Sequence, residues 1–148
     1  MTTETEFFTI GYQGRSLDEF CRVLKRHQVQ RLIDIRFNPF SRKKGFSGKP
    51  LHEALRTIGV EYLHIKHLGT PPEIQKKLKR DGDRNSFQEL FGEYLASVPE
   101  TMEELQEEVV RSRSCLMCFE RDVEDCHRNQ VSAKLLRSLG ATMTVGHL

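Results

Sequence analysis

SCLMCFERDVEDCHRNQV, residues 114–131, is the stretch from which the fold of this chain is read. Leu116, Met117, Cys118 and Phe119 form a short apolar run whose length suits a buried strand. The run stops at Glu120, crosses a charged segment and reaches Cys126, His127 and Arg128. Apolar residues then recur at helical spacing, at Val131, Leu135, Leu136 and Leu139. Asp125 occupies an N-cap position, which places Cys126, His127 and Arg128 in the first helical turn. A thiol, an imidazole and a guanidinium at a helix start attract anions, through their side chains and through the backbone dipole.

The same alternation extends towards the N-terminus. Residues 7–10 are a compact apolar run ended by Gly11-Tyr12-Gln13-Gly14. Ser16 with Glu19 forms a capping box, followed by Leu17, Phe20, Cys21 and Leu24 at helical spacing. Residues 31–36 are nearly continuous in apolar character, as expected of a parallel strand covered on both faces. Asp34 and Arg36 lie two apart, hence on one face, where they can pair. Pro50 suits the first turn of a short helix that stops at Gly59, and residues 60–65 make a third strand leading to His67-Leu68-Gly69. Residues 70–85 read as a short helix or a mobile excursion. Ser86 with Glu89 and Thr101 with Glu104 are capping boxes for two further helices, the second carrying Met102, Leu105, Val109 and Val110. Glu103, Glu104, Glu107 and Glu108 read as its solvated face. A last strand is expected over residues 141–146. The pattern predicts one α/β domain over residues 1–148, with a mainly parallel sheet of about five strands and helices on both faces.

A chain of 148 residues with a net charge of +2 gives no overall argument for nucleic acid. Locally, residues 37–50 hold Arg42, Lys43, Lys44 and Lys49 without one acid, interleaved with Phe37, Phe40 and Phe46. Long loops of this kind tend to be functional. No apolar run reaches membrane length and the start lacks a signal-peptide pattern, so the expected location is the cytoplasm and the four cysteines are expected to be reduced. Cys115 and Cys118 have a zinc-like spacing, but residues three apart on a strand face opposite ways, so no metal site is expected.

In parallel sheets ligands bind beyond the carboxyl ends of the strands. The chemically loaded residues fall there: Tyr12 and Gln13 after the first strand; Asp34, Arg36, Ser41 and Arg42 after the second; His67 and Gly69 after the third; Glu120, Cys126, His127 and Arg128 after the fourth. The candidate catalytic groups are Glu120, Cys126 and His127. Tyr12, Asp34, Arg36, Ser41, Arg42, His67 and Arg128 are the candidates for binding an anionic substrate. Arg128 next to His127 favours the neutral ring.

The succession TIGY, DIRFNPFSR, HLGT, LMCFE and CHR resembles the domain-of-unknown-function 488 family over roughly residues 7–147. The matching positions are Asp34, Arg36, Pro39, Ser41, Arg42, Cys118, Glu120, Cys126, His127 and Arg128; Thr70 stands where a second glycine is usual. The resemblance implies a small intracellular α/β protein and supplies no reaction and no cofactor. Three functional classes follow from the residues. The first is an enzyme with a phosphate-type anion site, acting on a nucleotide or nucleic-acid-derived substrate. The second is a module that binds single-stranded nucleic acid without chemistry. The third is a thiol-dependent redox or sulfur-handling protein resting on Cys118 and Cys126.

Overall fold

The computed structural model describes residues 5–122, 127–140 and 143–148. Its strands are β1 (Thr5–Gly11), β2 (Arg31–Asp34), β3 (Glu61–His64), β4 (Ser114–Cys118) and β5 (Met143–His147). Its helices are α1 (Leu17–Arg26), α2 (Gly48–Thr57), α3 (Pro72–Asp81), α4 (Arg84–Ser97), α5 (Pro99–Arg111) and α6 (Arg128–Leu139), with a 3₁₀ turn over Lys66–Leu68. All strands run parallel in the order β3-β2-β4-β1-β5. This is the α/β architecture expected from the alternation.

Side-chain alternation sorts the strands into two cores. Phe8, Ile10, Leu32, Cys115 and Met117 face α1 and α2, packing on Phe20, Leu24, Leu51 and Leu55. Phe7, Ile33, Leu116 and Cys118 face the other way, onto Phe91, Leu95, Leu105, Val109, Val131 and Leu135 of α4, α5 and α6. Cys115 and Cys118 therefore point to opposite faces, as their spacing on a strand requires. From β1 the chain moves one way across the sheet through β2 and β3; from β4 it moves the other way to β5. The adjacent strands β1 and β4 thus form a topological switch point, where a crevice opens at the carboxyl edge.

Some local expectations shift. Ser16 caps α1, its Oγ accepting from the Glu19 N–H at 3.1 Å. Ser86 is not a cap: Asp83 takes that place, accepting from the Ser86 N–H at 3.1 Å, because α4 starts at Arg84. Pro99 opens α5, so Thr101 lies inside the helix and is buried. Residues 70–85 contain a full helix, α3, closed by Gly82 in the left-handed region at φ 65°. Glu108 is no part of a solvated face, for it lies on the buried stripe of Thr101, Leu105 and Val109 and pairs with Arg31 and Arg111. Val110, one residue on, is turned to water. The Asp125 cap falls outside the described residues; α6 begins at Arg128, with His127 at its cap position. No helix among the described residues is long and apolar enough to cross a membrane.

Candidate anion site at the carboxyl edge

The loops after β1 and β4 are held together by backbone contact. The Tyr12 N–H donates to the Cys118 carbonyl at 3.2 Å and the Gln13 N–H to the Phe119 carbonyl at 2.9 Å, which prolongs the ladder beyond the strands. The side-chain oxygen of Gln13 accepts from the Arg121 N–H at 3.1 Å. Gly11 makes this approach feasible: a Cβ there would fall inside the Glu120 carbonyl. Gly69 does the same after β3, its α-carbon lying against the backbone of Arg36 and Phe37. Thr70, in place of a second glycine, is buried without disturbing that approach.

A cavity of about 740 Å³ opens over these loops. Tyr12 reaches it from β1; Arg36, Asn38, Phe40, Ser41 and Arg42 from the loop after β2. Thr70 and α3 supply another wall, with Pro72, Gln75 and Lys79. Cys118, Phe119 and Glu120 close it after β4, and His127 stands at the start of α6. Tyr12, Arg36, Ser41, Arg42, Glu120 and His127, all expected from the sequence, are thus brought together.

Behind the cavity lies a buried polar network. Asp34 is fully buried and takes two bonds from the Arg36 side chain, Nε to Oδ1 at 2.9 Å and Nη2 to Oδ2 at 2.7 Å, and a third from the Arg36 backbone N–H to Oδ1 at 3.1 Å. Tyr62 donates its O–H to Asp34 Oδ2 at 2.6 Å. Burial, with the Asp34 charge beside it, pushes the Tyr62 phenol up, so it stays a donor. Burial opposes the charge on Arg36, but the bonds and charge of Asp34 outweigh it and raise the guanidinium pKa. Arg36 Nη1 also donates to the Tyr12 hydroxyl at 3.2 Å. These bonds leave about two of the five N–H groups of an arginine for a ligand. Tyr12 is only 2% exposed and uses its oxygen as acceptor for Arg36, which leaves its O–H to donate into the cavity.

His127 accompanies this network from α6. Its Nε2 lies 2.9 Å from the Ile35 carbonyl, which can only accept, so Nε2 carries the proton and Nδ1 the lone pair. Burial, reinforced by the positive charge of Arg128, lowers its pKa to about 4 against the opposing Ile35 bond. The ring is neutral at physiological pH.

Other predicted site residues stand elsewhere. Arg128 is 1% exposed, off the cavity lining, and donates to the Arg121 carbonyl at 2.8 Å. His67 Nδ1 pairs with the Tyr94 hydroxyl at 2.9 Å, also off the lining. Asp34 is the buried counter-ion of Arg36. Cys126 lies outside the described residues. Cys21 and Cys115 are free thiols, but Cys118 is disulfide-bonded, which corrects the expectation that all four are reduced. Cys118 ends β4 where the chain turns, whereas Cys115 sits three residues deeper on the other face. Among the described residues no cluster of His, Cys, Asp or Glu is arranged for a metal ion.

Several lining residues escaped the sequence reading. In the sequence Phe119 reads only as the end of an apolar strand run. Pro72, Gln75 and Lys79 share one face of α3, a spacing visible in the sequence once the helix is known. No curated protein and no solved structure matches the chain. A family model does, over residues 16–135, and with the motifs around Asp34, Arg36 and Glu120 inside that span the chain belongs to the family described as Domain of unknown function DUF488.

Proposed function

We propose that this cavity binds a phosphate-type anion and that the protein is an enzyme acting on a phosphate-bearing substrate of the nucleotide type. One observation carries the reading: Arg36 and Arg42, from the loop after β2, and Lys79, from α3, line a cavity whose single carboxylate among the described residues is Glu120. Asp34 offsets the charge of Arg36, so the surplus rests on Arg42 and Lys79, both exposed and without an ion-pair partner among the described residues. The Tyr12 and Ser41 hydroxyls add neutral donors. Such a donor set matches the oxygens of a phosphate, with Arg36 held in a set orientation by Asp34.

Glu120 takes the role of proton acceptor opposite the bound anion. Neutral His127, on the cavity wall, orients a hydroxyl or water. Asp34 and Tyr62 act at a distance, by fixing Arg36.

Thermal unfolding with and without inorganic phosphate or pyrophosphate tests the binding half. The parent protein is expected to gain stability with the anion, and the Arg42→Ala/Lys79→Ala double variant to lose that gain while unfolding at nearly the parent temperature without it. No gain in the parent protein overturns the site. The catalytic half is tested on a panel of nucleotides and phosphate esters followed by phosphorus NMR. Glu120→Gln is expected to retain binding and lose turnover by about 100-fold or more. A panel without turnover reduces the protein to a binding module.

A further inference from the structure

We propose that the rim of this cavity is a nucleobase subsite: Phe40 and Phe119 take the faces of an unpaired base, the amides of Asn38 and Gln75 meet its edge, and Arg42 and Lys79 hold its phosphate. The last part rests on the anion reading above; the aromatic and amide parts are independent of it.

Three large hydrophobic side chains are exposed among the described residues: Phe40 at 66%, Val110 at 62% and Phe119 at 45%. A lone exposed hydrophobic residue needs no explanation. Here both aromatic members of the set line one cavity, beside its cations, and the aliphatic one lies away on α5.

The loop after β2 shows that this exposure is selective. It carries Phe37, Phe40 and Phe46. Phe46 is fully buried, stacked on Tyr12 at 4.7 Å and edge-on to Phe20 at 5.3 Å. Phe37 meets His67 edge-on and lies under the Lys66 ammonium. Phe40 has no ring partner among the described residues. The backbone holds it outward, through the Phe40 N–H to the Asn38 carbonyl at 2.8 Å and the Gly48 N–H to the Pro39 carbonyl at 2.9 Å. Phe119 is steadied by Tyr12, 5.4 Å away at 77°. A chain of rings, Phe20, Phe46, Tyr12 and Phe119, runs from the core to the cavity, so a planar ligand meets a platform that is already ordered.

Every base offers a π face, and stacking on an aromatic side chain is a sequence-tolerant way to hold it. Asn38 and Gln75 are exposed, line the same cavity and have no side-chain hydrogen bond among the described residues. Each amide presents a donor and an acceptor together, the pattern that base edges complement. A base stacked in a duplex cannot enter, so the ligand is a free nucleotide or an unpaired position in a strand.

Calorimetric titration with inorganic phosphate, the four nucleoside monophosphates and a single strand of about ten nucleotides tests this. Nucleotides are expected to bind at least about tenfold more tightly than phosphate. Phe40→Ala and Phe119→Leu remove that advantage and leave phosphate affinity unchanged, and Gln75→Ala alters the ranking among bases. Thermal unfolding of each variant verifies the fold. Equal affinity for nucleotides and phosphate overturns the base subsite while the anion site stands; binding of neither overturns both. A Phe40→Ala variant that binds every nucleotide as the parent does also overturns it, and leaves the exposed ring to a protein partner. Tighter, salt-sensitive binding of the strand identifies an unpaired strand as the ligand, and equal affinity identifies the free nucleotide.

Discussion

The two edges of the sheet use the same residue types to opposite ends. At the amino edge Arg31 pairs with Glu61 and with Glu108, and Arg111 with Glu108. The cavity there, about 270 Å³ lined by Gln30, Arg31, Glu61, Arg111 and Ser112, has each of its cations matched. At the carboxyl edge Arg36 is matched by Asp34, while Arg42 and Lys79, without an ion-pair partner among the described residues, face with Phe40 and Phe119 a cavity nearly three times larger. Charges that serve stability find their partners within the chain. Arg42 and Lys79, on the loop after β2 and on α3, are the charges that the proposed ligand would meet.

The comparison can be broken first at its hinge. Gly11→Ala drives a methyl group into the Glu120 carbonyl and separates the loops that build the carboxyl edge. Urea unfolding is expected to show a loss on the order of 4 kcal/mol. A loss below about 1 kcal/mol would mean that these loops part readily and do not need the close approach.

A second test sets one carboxylate from each edge side by side. Asp34→Ala leaves the Arg36 guanidinium buried and uncompensated, at an expected cost of about 3–4 kcal/mol. Glu61 is 67% exposed, so Glu61→Ala at the amino edge should cost under about 1 kcal/mol. Equal losses would erase the distinction between a buried network and a surface pair.

The smallest effect sharpens the electrostatics of the carboxyl edge. His127 titrates near 4 in the folded chain, against an ordinary value of 6.5. Above 6.5 the ring is neutral in both states and adds nothing to the pH dependence. As pH falls from 6.5 towards 4 the unfolded chain takes up the proton first, so the folded state loses stability. The loss amounts to at most about 1.4 kcal/mol per pH unit and levels off below the folded pKa. His127→Gln is expected to flatten this part of the curve. A slope unaltered by the substitution would place the responsible proton on another group.

Local chemistry was legible because it depends on neighbours in the chain. Two-residue spacing put Asp34 and Arg36 on one face, three-residue spacing sent Cys115 and Cys118 to opposite faces, and Ser16 with Glu19 marked the start of α1. The rule that ligands gather at strand carboxyl ends placed Tyr12, Arg36, Ser41, Arg42, Glu120 and His127 around one cavity. The start of α4 differs from the sequence expectation because Asp83 and Ser86 are both good caps and only the observed turn at Gly82 selects between them.

By itself the sequence determined the alternation of strands and helices, and with it an α/β sheet covered on both faces, since period-2 and period-3.6 patterns record which side of each element meets the core. Strand order, the burial of Arg128 away from the cavity, and the choice of Phe46 over Phe40 as anchor were decided only by the tertiary structure. So was the arrival of Gln75 and Lys79 at the site, because α3 buries none of its residues fully and offers only Ile74 and Leu78 as an apolar pair to declare its position. Periodicity tells a segment which way to face. Which distant segments it then meets depends on long-range pairing that no local window contains.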